Sequence, residues 1–286
     1  MQLGFSPVAV IAVRTTIAAL LMMLLMVIQM RPFFYIYPVG LIGCLLAGFI
    51  NGLGSILYYT ALSRLDASIG HILYSFYPLF VALWLILDHQ PITRITAFRL
   101  ALTIPAVALL IMPGQKGVDL VGALMMLSSA VLYALHMLIN QRILFEAPAP
   151  TVTLYTLLAM AVTVDLAAFI PGLQFPATAI LWWPVLAMAL ITFASRLMLF
   201  MGIKHLGGLQ TAMLGLAELF VTVFLAQAWL GEKLTLVQWV GAILLMLSMI
   251  LIGLDHSSSN KRSHSRWLSW LNPSTVPTDI PWSSGP

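Results

Sequence analysis

The chain has 286 residues, of which 61% are hydrophobic and only 8% are charged, and its formal net charge is +4. Soluble domains contain about 45–50% apolar and about 25% charged residues, so this composition excludes a soluble protein and predicts an integral membrane protein. Most of the basic residues are scattered singly between apolar runs, which excludes a surface that binds nucleic acid.

Nine apolar stretches follow one another along the chain. A bilayer core of about 30 Å is crossed by roughly 20 helical residues, and each stretch is long enough to do so. The connections between them are short, and no soluble domain interrupts the series. We therefore predict an all-α, polytopic transmembrane helix bundle. The predicted spans are residues 7–29, 36–61, 65–87, 93–112, 118–140, 150–171, 180–203, 206–229 and 234–254.

One motif occurs twice in the sequence, at a separation of about 141 residues. The first copy runs from Tyr58 to Thr93 and the second runs from Leu199 to Thr235. Each copy reads apolar helix, basic three-residue turn, apolar helix, short polar turn and apolar helix. Because a repeat with an odd number of spans places its two copies in opposite orientations, the motif predicts an inverted repeat, which is typical of transporters.

The spans divide the chain into three parts. We assign a first repeat of four spans to residues 1–112, a second repeat of five spans to residues 118–254, and a polar, disordered tail to residues 255–286. Most Lys and Arg residues of the loops fall on one side of the membrane when the tail lies in the cytoplasm. We therefore predict a multi-pass protein of the plasma (inner) membrane with a cytoplasmic C-terminus.

The first repeat is one span shorter than the second. The helix that would complete it would precede Pro7, and residues 1–7 read as a loop between helices without the charged start of a signal sequence. We therefore expect that the chain lacks its first span. A natural protein of nine spans is the alternative.

The second copy of the motif closely resembles the last two helices of EamA-type permeases of the drug/metabolite transporter superfamily. The resemblance rests on Gly202 to Ala212, Glu218, Gly231 to Thr235 and Gly241, on Tyr77-Pro78 in the first copy, and on Arg14, where the second helix of the family often has an Arg. It covers residues 1–254 and implies a carrier of ten helices, with two inverted repeats of five around a central cavity.

The resemblance also implies transport of amino acids, metabolites or drugs, often outward. The chain departs from the family pattern at Leu219, where a Pro usually follows the acidic residue. A second departure is the segment Asp88-His-Gln-Pro, which replaces a Gly-Glu turn. The third departure is the expected absence of the first helix of the family.

Ionisable residues within spans are costly and face protein or water, so each is a candidate for function. Glu218 lies near the middle of its span, where it could exchange a proton, bind a substrate amine or hold two helices together. Arg196 lies roughly 10 Å from the end of its span and could bind an anion, pair with Glu218 or reach the membrane surface. Asn51 is a further candidate for the cavity.

Two pairs of His and Tyr residues share the spacing of three that places both side chains on one helix face. They are His71 with Tyr74, and Tyr133 with His136. Each pair could form an aromatic wall for a small amphiphilic solute, and each histidine could titrate or bind substrate. A hydrogen-bonded histidine in an ordinary packed core is the alternative.

Arg14 and Asp165 lie at similar depths on equivalent helices of the two repeats. The sequence therefore predicts an ion pair between the repeats, which would act as an outer gate if it breaks on opening. A static packing pair is the alternative.

The sequence contains no phosphate-binding loop, no His-Glu-x-x-His and no Gly-x-Ser-x-Gly, and it shows no nucleophile with a base or metal-ligand spacing. We predict no enzyme activity, no catalytic residue, no cofactor and no metal. The predicted function is alternating-access transport of a small molecule across the lipid bilayer, outward, driven by protons or by exchange, in a monomer or homodimer. The alternative is a non-transporting subunit or a degenerate, truncated relative.

Overall fold

The computed structural model describes residues 7–65, 70, 73–88, 92–110, 119–169, 182–218, 221 and 236–251. All the regular elements in these ranges are helical, so the all-α prediction is confirmed for them. The α-helices are α1 (Pro7–Gln29), α2 (Pro38–Leu62), α3 (Tyr77–Leu87), α4 (Arg94–Leu110), α5 (Leu120–Leu144), α6 (Ala149–Phe169), α7 (Trp183–Leu206), α8 (Gly208–Gly215) and α9 (Leu236–Ile250), and a 3-10 helix spans Arg31–Phe34. Five of these helices are long and apolar enough to cross a membrane: α1, α2, α5, α6 and α7.

Local sequence explains where several helices begin and end. Pro38 occupies the first turn of α2, where backbone N–H groups have no acceptor within the helix, so the N–H that proline lacks is not needed. Asp119 caps α5, because its carboxylate accepts hydrogen bonds from the backbone N–H groups of Val121 and Gly122 at 3.2 and 3.3 Å. Gly207 separates α7 from α8 with a φ of 87°, a backbone conformation that favours glycine.

The repeat predicted from the sequence is visible in the order of the helices. Helices of the first half have counterparts that begin 142 to 145 residues later: α1 at Pro7 and α6 at Ala149, α2 at Pro38 and α7 at Trp183, α4 at Arg94 and α9 at Leu236. Two counterpart pairs pack against each other, α1 with α6 and α4 with α9. Helix α5 packs against α2 and α3, so it joins the second half to the first.

Each half contains a helix that is interrupted at the corresponding position. In the first half, Ser75 and Phe76 form a turn directly before α3, and in the second half Leu216 forms a turn directly after α8. Ser75 and Leu216 are 141 residues apart, which is the separation of the two copies of the sequence motif. The two halves therefore share the position of the helix interruption as well as the order of their helices.

The interruptions lie within the predicted spans 65–87 and 206–229. Pro78 has no N–H to donate to the carbonyl of Tyr74, which removes one helical hydrogen bond from the first interruption. In the second, the N–H of Leu216 bonds at 3.3 Å to the carbonyl three residues back rather than four.

The outer surface of the described helices carries large apolar side chains, and on a water-soluble protein a continuous surface of this kind would cause aggregation. In a bilayer it contacts acyl chains without penalty. Examples from five helices are Ile28, Leu53, Leu83, Leu166 and Met198. This surface is the one expected of a multi-pass membrane protein.

Helices α2 and α6 approach closely because glycine occupies the contact. A Cβ atom at Gly48 would lie 2.5 Å from the Cβ of Ala159 and from the carbonyl oxygen of Thr156. A Cβ at Gly52 would lie 2.8 Å from the Cβ of Thr163. The two glycines, one helical turn apart, therefore form an intramolecular contact surface.

We expect Gly48→Ala to lower the free energy of unfolding by about 1–3 kcal/mol, because the added methyl group would overlap backbone as well as side chain. Gly54→Ala is the matched control in the same helix, since its Cβ would make ordinary contacts at 3.5 Å and beyond. Thermal unfolding of the two purified variants in detergent measures the difference. Equal loss of stability in both variants would contradict the packing described here.

Candidate functional site

A cavity of about 110 Å³ lies between α1, α2, α5 and α7 and the interruption before α3. Polar and aromatic residues line it, in contrast to the apolar outer surface: Arg14, Asn51, Gly54, Ser55, Tyr58, Tyr59, Tyr74, Ser129, Tyr133 and Arg196. Four residues that the sequence analysis selected for binding are among them, namely Asn51, Tyr74, Tyr133 and Arg196. Arg14, predicted as half of a gate, lines the same cavity.

Five tyrosines form one cluster at this cavity, which we call the tyrosine wall. The rings of Tyr58 and Tyr74 lie 4.9 Å apart, those of Tyr74 and Tyr133 5.7 Å, and those of Tyr77 and Tyr133 5.2 Å. Tyr59 joins the cluster through Tyr58, at 5.3 Å. Most of these contacts are edge-to-face or tilted, the arrangements that aromatic rings favour. Sequence spacing had indicated only Tyr74 and Tyr133.

Two guanidinium groups face the same cavity. Cζ of Arg14 lies 5.0 Å from the ring centroid of Tyr59, and Cζ of Arg196 lies 5.9 Å from that of Tyr133, so each cation packs on an aromatic face. The two arginines are close enough to repel each other electrostatically. Nε of Arg14 and Nη1 of Arg196 are shielded from solvent and have no hydrogen-bond partner among the described residues.

The predicted ion pair between Arg14 and Asp165 is not formed in this conformation. Asp165 instead accepts a hydrogen bond from the hydroxyl of Thr16 at 2.9 Å. Successive residues turn by about 100° around a helix, so two positions along α1 place Arg14 and Thr16 on nearly opposite sides. Thr16 faces α6, whereas Arg14 points to α2 and the cavity.

His136 is fully buried behind the tyrosine wall and is not among the residues that line the cavity. Its Nδ1 lies 3.0 Å from the carbonyl oxygen of Ala47 and 3.0 Å from Nδ2 of Asn140, and its ring stacks on Tyr133. Thr156 donates a hydrogen bond to Asn140 at 3.2 Å, so the cluster connects α2, α5 and α6. This placement corresponds to the hydrogen-bonded core histidine that was the alternative.

Glu218 lies just beyond the interruption that follows α8, and its side chain is exposed. The carboxyl group interacts electrostatically with the hydroxyls of Tyr58, Tyr77 and Tyr133, so it stands beside the tyrosine wall. His71, the remaining candidate from the sequence, lies outside the described residues.

The two interrupted helices touch each other beside the cavity. The hydroxyl of Tyr77, at the start of α3, donates a hydrogen bond to the carbonyl oxygen of Ala212 in α8 at 2.7 Å. A Cβ atom at Gly215 would overlap the same hydroxyl. The absence of a side chain at Gly215 therefore lets the two helices cross at the tyrosine wall.

Two ion pairs between the halves occupy opposite ends of the bundle. Asp88 and Arg142 form the buried pair, with a 2.8 Å contact and side chains that are 0% and 4% exposed. Arg64 and Asp119 form the exposed pair, with a 3.5 Å contact and side chains that are 50% and 37% exposed. The buried pair was not predicted from the sequence, although Asp88 lies in a segment that departs from the family pattern.

Comparison with known proteins places the fold in a family. The model of the EamA-like transporter family matches residues 1–112 and 120–254. The chain belongs to that family. The all-α, inverted-repeat fold predicted from the sequence is therefore confirmed, and the protein is a membrane transporter of the drug/metabolite transporter type. The EamA-like family comprises transporters rather than enzymes.

A solved structure titled "Crystal structure of protein" is similar to this EamA-like chain, with a TM-score of 0.70 and 16% sequence identity over 87% of each chain. At this identity the similarity concerns the fold alone. No curated protein matches the chain. Among the described residues of this EamA-like protein, no group of three or more His, Cys, Asp or Glu side chains could hold a metal ion.

Proposed function

We propose that this EamA-like protein carries small amphiphilic solutes across the plasma membrane by alternating access, in the outward direction. The observation that carries the proposal is the contact between two helices interrupted at corresponding positions, next to a cavity lined by polar and aromatic side chains. In carriers built from inverted repeats, such interruptions mark the substrate site, where backbone groups freed from helical hydrogen bonds face the solute.

The two ends of the bundle differ, which supports a conformation that is closed at the end of the buried pair. Most residues that line the cavity lie toward the end of the exposed pair: Arg14 is in the first third of α1, Tyr58 is in the last turns of α2, and Ser129 is in the first half of α5. The buried pair lies at the other end, below the cavity. With the C-terminus in the cytoplasm, the closed end would face the cytoplasm. Transport then requires the buried pair to separate while the other end closes.

Glu218 is the carboxylate best placed to couple this motion to protons. It stands next to the tyrosine wall and follows the interrupted segment of the second half, so a change in its charge acts where the halves meet. Exchange of one solute for another without ion coupling is the competing mode, and it needs no titrating group.

The test uses the purified protein in liposomes, with labelled amino acids and cationic drugs as probes. We expect net flux of a transported probe to follow an imposed pH gradient, and Glu218→Gln to abolish that response while leaving probe-for-probe counterflow. Glu218→Asp is the matched control and should retain both activities. A pH response that persists in Glu218→Gln would contradict proton coupling through this residue, and counterflow of no probe by the wild type would favour a non-transporting subunit.

A further inference from the structure

The geometry of the cavity also indicates what kind of solute it binds. We propose that Arg14 and Arg196 together bind the carboxylate of a small organic acid, whose apolar body lies against the tyrosine wall. This inference rests on the proposed carrier function and names the solute class for the same cavity.

The two guanidinium groups lack what buried cations normally have. A charged group in a low-dielectric environment is stable only when an opposite charge and hydrogen bonds compensate for lost water. Arg14 and Arg196 instead face each other across one cavity, and each has a nitrogen that is shielded from solvent without a hydrogen-bond partner among the described residues. Their tyrosine contacts supply only part of the compensation, because cation–π attraction is modest.

No described carboxylate lies within ion-pair distance of either guanidinium group. The residues that line the cavity include two arginines and no carboxylate. Asp165, the acidic residue predicted to pair with Arg14, is turned toward Thr16 on the other side of α1. The charge of Glu218 interacts with the hydroxyls of Tyr58 and Tyr133. If this one negative charge is counted against the two arginines, the site still has a net charge of +1. An anion that enters from outside would remove both the repulsion and the unmet hydrogen bonds.

Several features favour a carboxylate on an apolar body over an inorganic anion. The guanidinium fork matches the two oxygens of a carboxylate, which allows bidentate hydrogen bonds. Four tyrosine rings form much of the remaining lining. Their faces can pack against an aromatic or aliphatic body, whereas a hydrated inorganic ion would make no apolar contact with them. The cavity, at about 110 Å³, is of the same order as the roughly 150 Å³ apolar cavity that is known to take up benzene.

The first experiment compares three probes of nearly equal size on the wild-type protein. Binding of benzoate, benzamide and benzylamine to the purified protein in detergent is measured by calorimetry at pH 7.5. We expect benzoate to bind at least about tenfold more tightly than benzamide, because only the ionised group forms charge-assisted hydrogen bonds, and benzylamine to bind no more tightly than benzamide. Equal binding of benzoate and benzamide, or displacement of benzoate by an equal concentration of chloride, would overturn the proposal.

The second experiment assigns the anion to the two arginines. Arg14→Gln and Arg196→Gln should each weaken benzoate binding by about 10- to 100-fold and leave benzamide binding unchanged. Arg14→Lys and Arg196→Lys keep the charge but lose the fork, so each should recover part of the loss. Arg31→Gln is the matched control, because Arg31 is exposed and bonds only to the carbonyl of Val27, at 2.9 Å. Benzoate binding that stays at the wild-type level in both Gln variants would overturn the assignment.

Failure of this inference is distinguishable from failure of the carrier function, because binding is measured in detergent and flux is measured in liposomes. Counterflow of other probes without preferential benzoate binding would leave the carrier in place and remove the organic-acid site. Preferential benzoate binding without counterflow of benzoate itself or of any other probe would confirm the site and remove the carrier. Because the comparison of the three probes uses the wild type, the inference stays testable even where an Arg variant fails to fold.

Discussion

Replacement of Asp88 by Asn is expected to lower the free energy of unfolding by about 3–5 kcal/mol and to open the end of the bundle that the buried pair closes. Asp88 and Arg142 are almost inaccessible to solvent and lie 2.8 Å apart. Asp88→Asn deletes one charge of a buried ion pair, and breaking such a pair from one side costs far more than the pair itself contributes. The separation of α3 from α5 would allow water to reach Arg142.

Cys44, the only cysteine of the chain, provides a reporter at this end. It is fully buried, and it lies on α2 near the start of the helix. Helices α2 and α5 run antiparallel, because Ala47 contacts His136 and Gly54 contacts Ser129, so Cys44 is at the same end as Arg142. We expect a small thiol reagent to modify Cys44 slowly in the wild type and faster in Asp88→Asn, as measured by mass spectrometry.

Two further variants test the cause of the effect. The double variant with Asp88→Asn and Arg142→Gln removes both charges of the pair, so it should recover much of the stability and of the Cys44 protection. Arg64→Gln breaks the exposed pair, and we expect a loss of only about 0–1 kcal/mol because solvent already screens that contact. Asp88→Asn and Arg64→Gln variants with equal effects would show that burial of the first pair has no energetic consequence.

The all-α membrane fold and the repeat could be predicted from the sequence because each rests on a one-dimensional signal. The composition indicates a membrane protein, and the recurrence of a motif after about 141 residues indicates two copies of one unit. The residues of the cavity were also partly predictable. Arg14, Asn51 and Arg196 are polar groups inside apolar helices, and a residue of this kind persists in a membrane where it faces protein or water rather than lipid.

The direction in which each side chain points was not predictable. The Arg14 and Asp165 prediction rested on similar depth, which fixes position along the membrane normal but not rotation about the helix axis. His136 shows the same limit, because the spacing to Tyr133 correctly places both residues on one face but does not separate a cavity wall from the core behind it. Both questions depend on which helix is the neighbour.

The buried pair and the second interruption were not predicted, for different reasons. Asp88 and Arg142 are 54 positions apart and lie at helix ends, so only the tertiary packing of α3 against α5 brings them together. The interruptions lie within continuous apolar stretches, where hydropathy does not change. Pro78 is a local signal for the first of them, but the second, at Leu216, has no proline beside it and becomes recognisable only through its counterpart.

Replacement of Gly215 by Ala is expected to suppress transport by wedging the two interrupted helices apart. The new methyl group would occupy the position of the Tyr77 hydroxyl, which bonds to Ala212 at 2.7 Å. Overpacking of this kind costs about 1–3 kcal/mol. Where the crossing must form in every transport cycle, that cost lowers the rate of counterflow by roughly 5- to 160-fold. Counterflow in liposomes at equal protein density measures the change.

Tyr77→Phe supplies the rescue, because it removes the one oxygen that the added methyl group would overlap. Tyr77→Phe alone should reduce counterflow only modestly, since it removes a single hydrogen bond worth about 0.5–1.5 kcal/mol. Combined with Gly215→Ala it should restore most of the lost rate. Tyr74→Phe is the matched control, because no atom of Tyr74 lies within 4 Å of the added methyl group, and it should restore nothing. Equal rescue by both Phe variants would mean that Gly215 acts through general loosening of the tyrosine wall rather than through the crossing.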